Sequence, residues 1–249
     1  MPIAATELER ELFLRVLLMG PPKIGKTRST IDSLARAFGP GYVIECGDKS
    51  ALAPALRQTT KFTFDLVRDE NQMETAIKEG KSGAKAGRYK WIVMDDYSLY
   101  GTWLEGELRD ASAAANKSNE PDGRRYWPEY KSRILNIVGR LLDSSAHVVF
   151  VSHFIEQSQE IDGQKAKSGR GVLPMFGGSV REELPARFVD VLFMDKIKDH
   201  RVFMVNPEGV WGPGCRSVDG TKEIEPDFGD FWKLMNQKIE KIEKSNGKR

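Results

Sequence analysis

The sequence predicts an open α/β fold: a mainly parallel sheet flanked by helices, with a β-hairpin toward the C-terminus. Three observations predict it. Short apolar runs at 13–19, 42–46, 91–94 and 148–151 end abruptly in glycine or polar residues, as strands buried on both faces do. Stretches with apolar residues at helical spacing separate them. Between the first strand and the first helix lies Gly20-Pro21-Pro22-Lys23-Ile24-Gly25-Lys26-Thr27, which has the spacing GxxxxGK[ST].

The elements follow in order. Ile31, Leu34, Ala35 and Phe38 mark the first helix, which Gly39-Pro40-Gly41 stops. After the strand at 42–46, Phe62, Phe64 and Leu66 alternate in a further strand that leads to a helix over 71–81. Residues 80–88, rich in Gly, Lys and Ala, read as a loop. The strand at 91–94 ends in Asp95-Asp96, a helical pattern covers 99–114, and the polar stretch 116–123 leads to an amphipathic helix over 128–142.

The strand at 148–151 ends in Ser152-His153. Residues 156–170 have few apolar positions and no period, so the expectation there is a long mobile loop. The runs 189–194 and 201–205 flank polar residues as a hairpin would, and an amphipathic helix over about 228–243 precedes a short basic tail. With no internal repeat and no linker-like boundary, the chain 1–249 is expected to form a single domain.

Composition excludes several classes. Lys plus Arg number 38 and Asp plus Glu 36, so any nucleic-acid contact must be a local patch. The two cysteines, Cys46 and Cys215, cannot form a disulfide framework or a paired-ligand zinc site, which points to a reducing compartment. The apolar run 12–19 is interrupted by Arg15 and is too short to cross a bilayer. A soluble, cytoplasmic protein without a membrane partner is the expectation.

The loop from Gly20 to Thr27 is built to hold phosphate. Its glycines let the backbone over Gly20, Pro21, Pro22, Lys23, Ile24 and Gly25 wrap the phosphates with the N–H groups of the loop. Lys26 meets the β and γ charges, the Thr27 hydroxyl ligates Mg²⁺, and Arg28 follows in the helix N-terminus, whose dipole adds positive potential. ATP and Mg²⁺ are therefore the expected ligands.

Such a loop needs a carboxylate at the end of a neighbouring strand, and Asp95 has that placement, beside Mg²⁺. Asp96 could polarise the attacking water. Glu45 and Asp48, at the end of the strand after the loop helix, are alternative bases, with a plain strand end as the bland reading. Ser152 and His153 end the next strand, where ligands of α/β sheets collect, and His153 could sense the γ-phosphate.

Arg124, Arg125, Tyr126 and Trp127 interleave cations with aromatics, a mixture that suits single-stranded nucleic acid. The alternative is that Tyr126 and Trp127 staple the following helix to the core. Lys165, Lys167 and Arg170 in the 156–170 segment form a second candidate contact. Arg216, after Trp211-Gly212-Pro213-Gly214, could serve as an arginine finger in a neighbouring subunit, with an ordinary surface arginine as the alternative.

On residues 16–27, 91–96, 148–153, 176–190 and 211–216, the chain resembles the short RecA-like P-loop ATPases of bacteriophages. Some of these phage nucleotide-binding proteins act in single-strand annealing or recombination. The resemblance implies a RecA-like core, with DNA-binding loops at 96–128 and 156–173. It also implies single-stranded DNA as partner, assembly into a ring or filament, and phage recombination or replication proteins as associates in the host cytoplasm. Two positions depart from the pattern. The acidic stretch after the second strand reads Glu45-Cys46-Gly47-Asp48, and Gly214 replaces the usual Lys before Arg216.

The expected activity is ATP hydrolysis coupled to single-stranded DNA. The alternatives are a nucleotide-gated DNA-binding or annealing protein with incidental hydrolysis, and a small-molecule kinase with 156–170 as its lid.

Overall fold

The computed structural model describes residues 13–246 apart from 117–118, 162–163, 207–209, 212 and 221. Its main sheet contains β1 (Arg15–Met19), β2 (Gly41–Glu45), β3 (Phe62–Leu66), β4 (Trp91–Asp95), β5 (His147–Ser152), β8 (Asp190–Ile197), β9 (His200–Val205), β11 (Gly214–Cys215) and β12 (Lys222–Ile224). The order across the sheet is β12-β9-β8-β1-β5-β4-β2-β3, with β11 on β8. From β8 to β3 every neighbouring pair is parallel; β9, β11 and β12 pair antiparallel.

Alternate residues of the central strands enter two cores. Leu17, Ile44, Ile92, Met94, Val148 and Phe150 face α2 (Glu70–Lys85), α3 (Tyr97–Ala114) and α4 (Gly123–Leu142). Val16, Leu18, Val43, Val93, Val149 and Val151 face α1 (Lys26–Phe38) and α5 (Phe228–Asn246). Burial on both faces explains why these strands read as unbroken apolar runs. The expected α/β fold with flanking helices and the β8–β9 hairpin is what forms. Among the described residues, no helix is long and apolar enough to cross a membrane.

Three local expectations are corrected. Helix α2 runs on through residues 80–85, which read as a loop, because Gly83 is where the Tyr89 ring closes on the helix. A Cβ on Gly83 would stand 2.2 Å from that ring, so the glycine is a packing residue and not a helix breaker. Helix α4 starts at Gly123, ahead of Pro128, because the Asp122 side chain caps it by accepting from the Arg124 N–H at 3.0 Å. Residues 156–161 and 164–170 are strands, not the expected loop. They belong to β6 (Phe154–Ile161) and β7 (Gln164–Pro174), an antiparallel pair that forms a second sheet with β10 (Val210–Trp211).

His147, buried at the start of β5, accepts a hydrogen bond from the Leu14 N–H at 3.1 Å through Nδ1 and stacks on Phe38 at 3.9 Å. The accepting nitrogen requires the neutral ring, and burial, with Arg15 nearby, pushes its pKa down to about 4. Unfolding restores an ordinary histidine, so the unfolded chain binds the extra proton between about pH 6.5 and 4. Stability should be unaffected by this group above pH 6.5 and should fall by about 3 kcal/mol as pH drops to 4. Denaturant melts of the native protein and His147→Asn across that range check this. The variant, which keeps an acceptor for Leu14, should lose that part of the pH dependence.

Candidate functional site

The C-terminal ends of β1, β2, β4 and β5 line up at one edge of the sheet. Met19 is in register with Ser152, and Glu45 with Asp95. Because β4 and β5 lie between β1 and β2, a crevice opens beyond these ends, where open α/β sheets hold ligands. It is a cleft of about 500 Å³ whose lining includes Lys23, Gly25, Lys26, Thr27, Arg28, Glu45, Asp95, Asp96 and His153.

The predicted loop forms one wall. Gly25, at φ 98°, takes the left-handed conformation that starts α1 and is accessible to glycine at little cost. Lys26, buried beneath it, donates to the carbonyls of Gly20 and Pro21 at 2.9 Å each, and its Nζ is 3.4 Å from His153 Nδ1. Burial lowers its pKa, against the opposing pull of Asp96 and Asp95. Pro22, Lys23 and Arg28 are exposed, while Ile24 packs against the α1–α5 core.

Three acidic side chains face the loop. Asp95, the last residue of β4, is hydrogen-bonded to the Thr27 side chain, and burial together with Asp96 pushes its pKa up to about 6. Glu45 accepts from the Gly47 N–H at 2.7 Å, and burial and then Asp95 push it up to about 8. Its Oε2 and Asp95 Oδ2 are buried without a hydrogen-bond partner among the described residues. The unpartnered Asp95 Oδ2, on a carboxylate already bonded to the Thr27 side chain, makes a donor pair that fits a hard divalent cation, so Thr27 and Asp95 are the residues that would hold Mg²⁺.

Asp96, which follows a cis Asp95–Asp96 peptide, is wired to His153. His153 Nε2 lies 2.8 Å from Asp96 Oδ2, while Asp96 Oδ1 accepts from the Ser98 N–H at 2.9 Å and from the Ser98 hydroxyl. That hydroxyl in turn accepts from the His153 N–H at 3.0 Å. Burial raises the Asp96 carboxyl, but the His153 and Ser98 hydrogen bonds outweigh it and hold it below the usual range.

Lys26, Asp95, Asp96, Glu45 and His153 thus converge from four strand ends. Asp48 lines the same cleft, but its carboxylate accepts from the Ser50 N–H at 2.9 Å as a turn cap. Ser152 is fully buried, with its hydroxyl donating to the His153 carbonyl at 2.7 Å.

The other predicted residues lie elsewhere. Arg124 and Arg125 are exposed in the first turn of α4, not in a connection. Tyr126 and Trp127 are half-buried on the core. The Trp127 ring lies 4.9 Å from Tyr126 and 5.6 Å from Tyr130, and covers Gly177 and Gly178. These contacts are those of the stapling alternative, and both residues keep part of their surface exposed. The backbone of Lys165, Lys167 and Arg170 lies on β7, but their side chains are outside the described residues. Arg216 is exposed beside Val189, at the N-terminal edge of the sheet, opposite the phosphate loop.

Sequence reasoning missed Ser98, buried behind the cleft, and Arg201, in its wall. Ser98 bridges Asp96 to His153, and its place two residues after Asp96, at a helix start, was an available capping signal. Arg201 lines the cleft from β9, and no local signal could have linked it to Gly25.

A glycine-rich loop closing on a buried lysine, faced by a threonine, an aspartate at a strand end and a nearby glutamate, defines a P-loop ATPase. The chain belongs to the AAA domain family, whose model matches residues 12–217. No curated protein sequence matches it. Among solved structures it is similar to an ATPase from the type III secretion system of pathogenic bacteria, at 12% identity and a TM-score of 0.46. That match covers 73% of this chain and 51% of the other, so the chain spans about half that protein's length. It is also similar to a KaiC-like protein from the archaeon Pyrococcus horikoshii OT3, at 13% identity and a TM-score of 0.41, covering 77% and 79% of the two chains. At these values neither likeness bears on what the chain acts upon.

Proposed function

We propose that this RecA-like P-loop protein hydrolyses ATP with Mg²⁺ and couples the nucleotide state to single-stranded DNA in phage recombination, annealing or replication. The observation that carries hydrolysis is the register of Glu45 with Asp95 across β2 and β4, beside Lys26. Glu45 takes the proton of the attacking water, Lys26 holds the β and γ oxygens, and the backbone N–H groups of the loop hold the rest of the phosphate chain. Mg²⁺, when bound at Thr27 and Asp95, supplies the positive charge that both the triphosphate and these buried carboxylates need. Asp96, itself oriented by Ser98, fixes the His153 ring, which stands at the γ-phosphate end of the cleft.

What supports DNA coupling is that β6 begins one residue after His153 and pairs with β7, which carries Lys165, Lys167 and Arg170. Arg124 and Arg125 add exposed charge beside the half-buried Tyr126 and Trp127. Assembly into a ring or filament would have to be head-to-tail for Arg216 to meet a phosphate, since it lies at the far edge from its own loop.

The test is ATP turnover with and without single-stranded DNA, across a range of salt. Turnover should rise on adding DNA, DNA affinity should fall steeply with salt, and Lys165→Glu with Lys167→Glu should lower the stimulation. Absence of turnover in both conditions sinks hydrolysis. Turnover that ignores DNA, with no DNA bound, sinks the partner. Annealing that persists without ATP would favour the nucleotide-gated binding protein instead.

A further inference from the structure

Arg201 lines the cleft apart from the Lys26, Asp95 and His153 cluster, and its placement is specific. The hairpin that carries it turns through only two residues, Lys198 and Asp199, both at positive φ of 45° and 69°. Such a turn matches the twist of its strands and fixes the register, here Lys196 opposite Arg201. Because β8 runs parallel to β1, the turn comes out at the same sheet edge as the phosphate loop. A Cβ on Gly25 would stand 3.3 Å from both Cζ and a terminal nitrogen of the Arg201 guanidinium.

The nearest acid on the turn, Asp199, is already paired with Lys196 at 2.7 Å. Among the described residues Arg201 makes no ion pair, and its side chain stays exposed. It also separates two clefts. One is the cleft of the carboxylates; the other, about 630 Å³, lies between the phosphate loop and the hairpin and is lined by Ile24, Ser29, His200 and Pro226 among others. A nucleotide with its terminal phosphate toward Glu45 and Asp95 must run its phosphate chain past Gly25, between these clefts, and so past the guanidinium.

We infer that Arg201 is a phosphate-binding residue, supplied in cis by the β8–β9 hairpin, that clamps the phosphate chain of the nucleotide against Gly25. This rests on the nucleotide reading above. A guanidinium is suited to the task because it offers two parallel N–H donors to phosphate oxygens and cannot lose its charge.

The test is calorimetric titration of the full chain with ATP·Mg²⁺ and, separately, with inorganic tripolyphosphate and Mg²⁺, alongside melting temperatures with and without ATP. Arg201→Ala should weaken both ligands by about 10- to 100-fold. Arg201→Lys, which keeps the charge but not the fork, should recover part of the loss. The melting temperature without nucleotide should stay native while its rise with ATP shrinks, which a merely structural arginine would not produce. Affinities within twofold of native for Arg201→Ala overturn the inference while leaving the ATPase reading intact. A loss for ATP but not for tripolyphosphate overturns it too, because the guanidinium would then serve the nucleoside. A native protein that binds neither ligand overturns the nucleotide reading and this inference with it.

Discussion

Replacing Glu45 with glutamine should lower ATP turnover by about 10²- to 10⁴-fold and leave nucleotide binding intact. Glutamine keeps the shape and the carbonyl oxygen that accepts from the Gly47 N–H, so the strand end should not move. What disappears is the ability to take a proton. The substitution also removes an acid that burial, and then Asp95, already push toward the neutral form, so the empty protein should lose no stability. Single-turnover hydrolysis and equilibrium binding, measured side by side, separate the two effects. Native turnover in Glu45→Gln would return the role of base to Asp96 or Asp48.

Lys26→Ala should abolish measurable turnover and weaken ATP by about 100-fold or more, since two or more charge-assisted contacts to phosphate go with it. Its effect on the empty protein has the opposite character. The Lys26 ammonium is buried, and burial holds its pKa below the ordinary value, so the fold carries that charge at a cost. The carbonyls of Gly20 and Pro21 lose their donor; Pro21 is half-buried and can turn to water, while the buried Gly20 carbonyl offsets part of the gain. The melting temperature without nucleotide should therefore stay level or rise, while the ATP-dependent rise vanishes. A variant that simply unfolds would show that the lysine is a scaffold member first.

How much of this was legible in the sequence depended on whether a residue's role was local. The loop from Gly20 to Thr27, the Asp95 strand end and the His153 strand end are each marked by an apolar run that stops, because strands buried on both faces show no other polar residue until the edge. Glu45 was nameable but not distinguishable from Asp48, since only the β2–β4 register puts Glu45 opposite Asp95. Residues 156–170 were misread because the β6–β7 ribbon belongs to a small second sheet and carries little of the alternating apolar face that marks a strand. The Asp162-Gly163 dipeptide between its strands was the one available hairpin signal. Arg201 was out of reach because its partner, Gly25, is a neighbour only through sheet order.

The hydrogen bond from the Met175 N–H to the His153 carbonyl, at 3.0 Å, closes the base of the β6–β7 ribbon. Both strands are thereby anchored at the one residue whose ring faces Lys26 and Asp96. The eight residues of β6 span about 26 Å at strand rise, so a rotation about His153 would be magnified along the ribbon. A tilt of about 5° there sweeps the far end through about 2 Å, comparable with the length of a hydrogen bond. A shift of the His153 backbone by a fraction of an ångström would therefore be felt at Ile161.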